Sequence, residues 1–205
     1  MPPETNGLHH MASGLDFIHR EGFVHRDIKP ENVLISPSIV LKISDFGFCK
    51  PVSSSGSFST TSGSKGTPVF TAPEYLLLDG KSKEERERIR ANVSIDIFSL
   101  GCLFYCYIKK GGHLFNEPGS QNRFSIIPNI VEGKKYLKEG KAVSYGICNK
   151  YGTKVNRTLF LYDKQSGLNL DHYAYEIIDE MTQALPGDRW KLQKVISALE
   201  SHLIE

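Results

Sequence analysis

A chain of 205 residues can bury one hydrophobic core, and 40% apolar with 23% charged residues is the make-up of an ordinary globular domain. A net charge of +2 supplies no extended basic field, and no apolar run nears the roughly 18 residues a membrane span needs, so direct contact with nucleic acid or a bilayer is not expected. Cys49, Cys102, Cys106 and Cys148 contain no Cys-x-x-Cys pair and read as thiols of a reducing compartment, and Met1–Asn6 lacks the apolar core of a signal peptide.

Leu8, Met11, Leu15 and Ile18 recur at helical spacing, which predicts an amphipathic helix over 7–22 with Gly22 as its terminator. His9 and His10 fall in this helix without a Cys or acidic partner at ligand spacing, which favours surface or packing roles over metal. Phe23-Val24 and Val33-Leu34-Ile35 predict short strands on either side of residues 25–32, and Val40-Leu41-Lys42-Ile43 alternates into a strand that delivers Asp45. Residues 51–65 hold seven Ser and two Thr, a polar loop by composition. Lys81 to Arg90 is dense in both signs, with Glu84 and Arg88 at i, i+4, and reads as a solvated helix face. From 91 to 108 the apolar residues Ile95, Ile97, Phe98, Leu100, Leu103, Phe104, Tyr105 and Ile108 go nearly all round a helix, which predicts burial on most sides. Residues 143–163, rich in β-branched and aromatic side chains with Asn/Gly punctuation, predict a surface hairpin. Asn92-Val93-Ser94 and Asn156-Arg157-Thr158 match glycosylation sequons, which carry no weight in a cytosolic setting.

The most informative stretch is His25-Arg26-Asp27-Ile28-Lys29-Pro30-Glu31-Asn32, followed thirteen residues after Asn32 by Asp45-Phe46-Gly47. Phosphoryl transfer needs a carboxylate to orient the attacking hydroxyl and accept its proton, and oxygen ligands to fix Mg²⁺ against the phosphates. Asp27 suits the first role; Asn32 and Asp45 suit the second. The series resembles the catalytic loop and metal-binding triplet of eukaryotic-type protein kinases. Gly66-Thr67-Pro68-Val69-Phe70-Thr71-Ala72-Pro73-Glu74 is similar to the end of their activation segment, and Asp96-Ile97-Phe98-Ser99-Leu100-Gly101 to the start of their central helix. Pro186-Gly187-Asp188-Arg189 is similar to the place where kinases carry an Arg that pairs with the Glu of Ala-Pro-Glu, here Glu74. The resemblance runs over most of 7–118 and resumes at about 173–199, leaving about 119–172 as an insertion.

What the resemblance implies is specific. The fold expected is a mainly α protein-kinase-like C-terminal lobe with short β-strands, the catalytic loop at 25–32 and the activation segment at 45–74. Asp27 is the expected base, with Lys29 steadying the transferring phosphate and Asn32 and Asp45 holding Mg²⁺. Lys29, Glu31, Asn32, Leu34 and Asp45 are expected to contact ATP, with Leu34 under the adenine ring. His25 and Phe46 are expected in a stack of core side chains beside Gly47, Asp96 under the backbone of the catalytic loop, and Arg189 against Glu74. Lys29, two residues after Asp27, marks the Ser/Thr-specific branch, so a protein Ser/Thr hydroxyl, or the same protein in trans, is the expected substrate. Ser44-Asp45-Phe46-Gly47-Phe48-Cys49-Lys50, Asp96 to Tyr105 and Gly112-His113-Leu114-Phe115 further resemble the inositol-requiring kinase/endoribonuclease family of the unfolded-protein response. Leu114 stands where that family carries Pro, and Trp190-Lys191-Leu192-Gln193 departs from its small-residue pattern. By this match Ser57, Ser59 and Ser62 are the expected autophosphorylation sites, with Arg26 as the natural partner of an added phosphate. A homodimer, and a place in the cytoplasm on the cytosolic face of the endoplasmic reticulum, go with that family.

Only 26 residues precede Asp27, and they hold no Gly-x-Gly-x-x-Gly loop and no Val-Ala-Ile-Lys strand, so the sequence reads as a C-terminal lobe lacking its N-terminal lobe. Two rival readings stand beside the active kinase: a catalytically inactive fragment that docks on a partner, and a Ser/Thr kinase of another family.

Overall fold

The computed structural model describes residues 1–117, 120–138, 141–144 and 173–203. Helix α1 runs over Glu4–Arg20, beginning directly after Pro2-Pro3 and so three residues before the expected start. It ends two residues short of Gly22, whose φ of +82° forms the turn into the next strand. Leu8, Met11, Ala12 and Leu15 are buried along one stripe, and the helix packs against the helices over 94–108 and 192–200.

Short strands frame the next segment. Strand β1 (Phe23–Val24), β2 (Val33–Ile35), β3 (Leu41–Ile43) and β4 (Lys50–Pro51) form two antiparallel pairs. In one pair Val24 faces Lys50, and in the other Val33 faces Ile43 and Ile35 faces Leu41. The Ser-rich segment is more ordered than its composition predicts. Its residues Ser57–Ser59 form β5, which pairs antiparallel with β6 (Arg90–Asn92) in the register Ser57 to Asn92, Phe58 to Ala91 and Ser59 to Arg90. Phe58 is 2% exposed, and burying that ring gives the polar segment its anchor.

Between β5 and β6 lie α2 (Pro73–Leu76) and α3 (Lys83–Glu87). The charged helix expected over 81–90 is confined to α3, opened by a capping box between Ser82 and Glu85 and ended where Arg90 enters β6. The apolar helix expected over 91–108 likewise loses its first residues to that strand and runs as α4 over Ser94–Ile108. Every residue of α4 from Ser94 to Cys106 is buried, so α4 is the axis of the lobe. Burial pushes the Cys106 thiol up to about 12 and that of the half-buried Cys49 up to about 11, keeping both protonated at neutral pH.

Helix α5 (Ile126–Glu132) leads through Gly133 into β7 (Lys134–Lys138), which pairs with β8 (Lys141–Ser144). The hairpin thus starts earlier than the 143–163 read from composition; 145–163, with Cys148 and Asn156, lie outside the described residues. Lys135 is 1% exposed and donates to the Asp179 carboxylate at 2.9 Å, tying β7 to α6 (Ala174–Met181). Helix α7 (Leu192–Glu200) closes the lobe against α1. Among the described residues no helix is long and apolar enough to cross a membrane.

Candidate active site

The 25–32 loop is held from beneath by one buried carboxylate. Asp96, in the first turn of α4, accepts from the backbone N–H of His25 at 2.7 Å and of Arg26 at 2.8 Å. The ring Nε2 of His19, on α1, reaches the same carboxylate at 2.9 Å. Three contacts satisfy a group with no exposed surface. They also hold Arg26 at φ +71°, a left-handed conformation a side chain seldom adopts without such support. The His25 ring crosses to the next segment. Its Nδ1 accepts the Asp27 N–H at 3.3 Å, so Nε2 carries the proton donated to the Ser44 carbonyl at 3.0 Å. The same ring meets Phe46 edge-on, 5.5 Å between centroids.

Asp27, 3% exposed, is the focus of the site. Its Oδ2 lies 2.8 Å from the Lys29 ammonium and 3.0 Å from the Asn32 amide nitrogen, and its Oδ1 accepts the Thr67 hydroxyl at 2.9 Å. Lys29 also donates to the Thr67 oxygen at 2.9 Å, closing a ring of three side chains. Burial pushes the Asp27 carboxyl up, but the Lys29 and Thr67 hydrogen bonds, the Lys29 charge and the Asn32 amide outweigh it, so the pKa lies below the usual carboxylate value. Asp27 is therefore a carboxylate at neutral pH. Gly66, at φ +97°, lets the chain pass against the Arg26 carbonyl and brings Thr67 to Asp27; a Cβ there would strike that carbonyl.

Asn32 and Asp45 are brought together by the β2–β3 pair. The Ser44 N–H and hydroxyl both donate to the Asn32 carbonyl, at 2.9 and 3.0 Å, which sets Asp45 one residue beyond that rung. The Asn32 amide nitrogen is turned to Asp27, bonding its carbonyl at 2.8 Å as well as its carboxylate. Asp45 is exposed and at φ +63°, and among the described residues its one hydrogen bond is from the Gly47 N–H, at 3.3 Å. An amide oxygen and an unpaired carboxylate suit a hard cation that takes its remaining ligands from phosphates and water. Among the described residues no group of three or more His, Cys, Asp or Glu could hold a metal without such outside ligands. Glu31 is exposed beside Asn32, and Leu34 is 58% exposed on the outer face of β2. Phe17, Ile18, Glu21, Phe23, Phe46 and Cys49 line an open cavity of about 250 Å³ on the same side of the lobe.

The far end of the 45–74 segment is anchored by an ion pair between a buried Arg189 and a half-buried Glu74. Arg189 grips Glu74 with two bonds of 2.7 Å and sends its other donors to the carbonyls of Gln183 (2.8 Å), Ser94 (3.0 Å) and Ala184 (3.2 Å). All five guanidinium N–H groups are thus satisfied. Arg26 is also engaged, donating from Nε to the Phe48 carbonyl at 2.6 Å and from Nη1 to the Tyr75 hydroxyl at 3.4 Å. Ser57 and Ser59 are half-buried on β5, and Ser62 is exposed beyond it.

A family model described as "Protein kinase domain" matches residues 5–199 of this arrangement. The chain belongs to the protein kinase family. This kinase is 35% identical over 160 residues to the serine/threonine-protein kinase/endoribonuclease ireA of Aspergillus fumigatus, covering 64% of this chain and 14% of that protein. It is 38% identical over 136 residues to the kinase/endoribonuclease ire-1 of Caenorhabditis elegans, covering 62% and 12%. It is 40% identical over 195 residues to the serine/threonine-protein kinase TOS3 of Saccharomyces cerevisiae, covering 90% and 30%. The chain spans about a third or less of the length of these curated relatives. Three residues of the kinase site escaped the motif reading: Thr67, His19 and Ser44. Thr67 and Ser44 both fall inside stretches that resemble kinases, and for Thr67 its place directly after Gly66 was the available signal.

Proposed function

We propose that this kinase lobe transfers the γ-phosphoryl group of ATP to Ser or Thr hydroxyls in a Mg²⁺-dependent reaction, as part of an inositol-requiring-type sensor acting in the unfolded-protein response at the cytosolic face of the endoplasmic reticulum. The observation that carries the chemistry is the ring of Lys29, Asn32 and Thr67 around the Asp27 carboxylate. Asp27 stays ionised and aimed by three donors, the state a proton acceptor must hold before the substrate arrives. A substrate hydroxyl beside Asp27 gives its proton to that carboxylate as its oxygen bonds to the γ-phosphorus and the bond to ADP breaks. Lys29 is placed to neutralise charge on the moving phosphoryl group. Asn32 and Asp45 would hold Mg²⁺, which would supply further neutralisation of the phosphates. Leu34 offers an apolar surface for the adenine ring, and Glu31 lies next to the metal-binding Asn32.

The regulatory part of the proposal is autophosphorylation in trans, within a homodimer, at Ser57, Ser59 and Ser62. The exposure of Ser62, and the partial exposure of Ser57 and Ser59, on a segment anchored at Glu74 support it. Asp27→Asn in the full-length gene product is expected to lower phosphotransfer by about 100-fold or more while leaving the fold intact; undiminished transfer would overturn the assignment. A second reading, docking on a partner without catalysis, draws on the exposed Phe17, Phe23 and Phe46 around the open cavity. Thermal unfolding with and without Mg-ATP separates the two. A true nucleotide site filled at 100 times its Kd adds about 2.7 kcal/mol, and no shift at millimolar nucleotide favours docking.

A further inference from the structure

Three cations, Lys50, Arg26 and Arg90, gather around β5. The Lys50 ammonium donates to the Ser59 carbonyl at 2.8 Å and lies 6.0 Å from the Phe58 ring centroid. The Arg26 guanidinium lies over the same ring at 6.0 Å. From β6, Arg90 donates through Nε to the Ser57 hydroxyl oxygen at 3.0 Å and through Nη2 to the Ser57 carbonyl at 3.3 Å. Burial and the charges of Arg26 and Arg90 hold the Lys50 pKa below its usual value, as expected where cations crowd without a counter-charge. Among the described residues none of the three makes an ion pair with a carboxylate.

The hydroxyls of the segment are not equivalent. Ser57 Oγ sits 2.9 Å from Ser53 Oγ and 3.2 Å from Ser55 Oγ, so Arg90 points into a cluster of three hydroxyls. Ser59 Oγ instead pairs with the Thr61 hydroxyl at 2.8 Å, and Thr60 is fully buried, its hydroxyl turned to the Arg86 and Ile89 carbonyls. Arg26 has its Nε spent on the Phe48 carbonyl. Arg90 is the guanidinium already seated on a modifiable serine.

We propose that Arg90 is the receptor for a phosphate on Ser57, an assignment that rests on the activation-segment reading above and adds the residue that reads the mark. A phosphoserine brings about −1.5 to −2 charges and three acceptor oxygens. Arg90 meets them with its Nε already 3.0 Å from the oxygen that carries the phosphate and its Nη2 on the carbonyl of the same residue. The mark therefore fastens β5 to β6, the strand that runs directly into α4 and so toward Asp96, the carboxylate under the catalytic loop. Phosphate on Ser57 then bears on the loop that carries Asp27 by way of β6 and Asp96.

The test installs phosphoserine at position 57 during synthesis of the full chain and follows amide hydrogen exchange in residues 57–59 and 90–92. Phosphorylation is expected to slow exchange there about tenfold, and Arg90→Gln to abolish the slowing, measured for each chain against its own unphosphorylated form. Arg90→Lys, which keeps the charge but not the fork, should retain part of it. Slowing that survives Arg90→Gln, or faster exchange on phosphorylation, would overturn the assignment. Phosphoserine at 59 serves as the positional control, and a dependence on Arg90 equal to that at 57 would also overturn it. Because the phosphate is installed chemically, the result does not depend on self-modification. Phosphate mapping of the full-length kinase after Mg-ATP treatment tests that separately: absence at Ser57 would remove the autophosphorylation reading without touching the Arg90 measurement.

Discussion

His113 makes the stability of this lobe depend on pH in a calculable way. The ring lies edge-on to Phe70, 5.1 Å between centroids, behind the segment that carries Thr67, and its Nδ1 accepts the Phe115 N–H at 3.2 Å. Burial, with the charge of Arg123 added and the Val69 backbone opposing, lowers its pKa from 6.5 to about 4. Between those two values the unfolded chain takes up a proton that the folded chain refuses, so stability falls as pH drops through that window. The separation corresponds to about 3 kcal/mol in full, of which about 2 kcal/mol is lost between pH 7 and pH 5. Urea unfolding at pH 7, 6 and 5, for the chain and for His113→Gln, isolates the contribution, since the other titrating groups cancel in the difference. The natural chain should lose about 2 kcal/mol more than the variant over that range. Parallel stability curves would refute the reasoning, because they would mean that His113 titrates alike in both states.

Removing one partner of the Arg189–Glu74 pair leaves a buried guanidinium without its counter-charge, so Glu74→Met should cost about 3–5 kcal/mol and lower Tm on the order of 10 °C; a change within error would mean that the pair is dispensable. Gly66→Ala should destabilise by more than about 1 kcal/mol, because the new methyl strikes the Arg26 carbonyl at a φ of +97°; unaltered unfolding in the variant would show that the chain crossing there is looser than described. Thr67→Val removes a donor to the ionised Asp27, so its pKa should rise and the acid limb of the pH–rate profile of the full-length kinase should move to higher pH. An unmoved limb would separate Thr67 from the ionisation of Asp27.

Some of this was legible in the chain because the information is local. The stripe of Leu8, Met11 and Leu15 defined a helix, the alternation ending at Ile43 defined a strand, and the spacing from Asp27 to Asn32 and Asp45 singled out the side chains that the structure brings together. The all-round apolar run marked α4 as buried. Composition misread the Ser-rich segment, since nothing local to Ser57–Ser59 announces that Phe58 is buried or that Arg90–Asn92, far downstream, lies alongside as a strand. That pairing also took the first residues from the helix expected at 91.

By itself, then, the sequence determined which side chains could do chemistry, because identity and short-range spacing decide what a loop carries. The tertiary structure alone decided what surrounds them. Thr67 meets Asp27 from 40 residues away, His19 meets Asp96 across 77, and Arg90 meets Ser57 across 33. Such contacts follow from how helices and strands pack into one core, which no local pattern encodes, and they set the ionisation of Asp27 and the support of its loop.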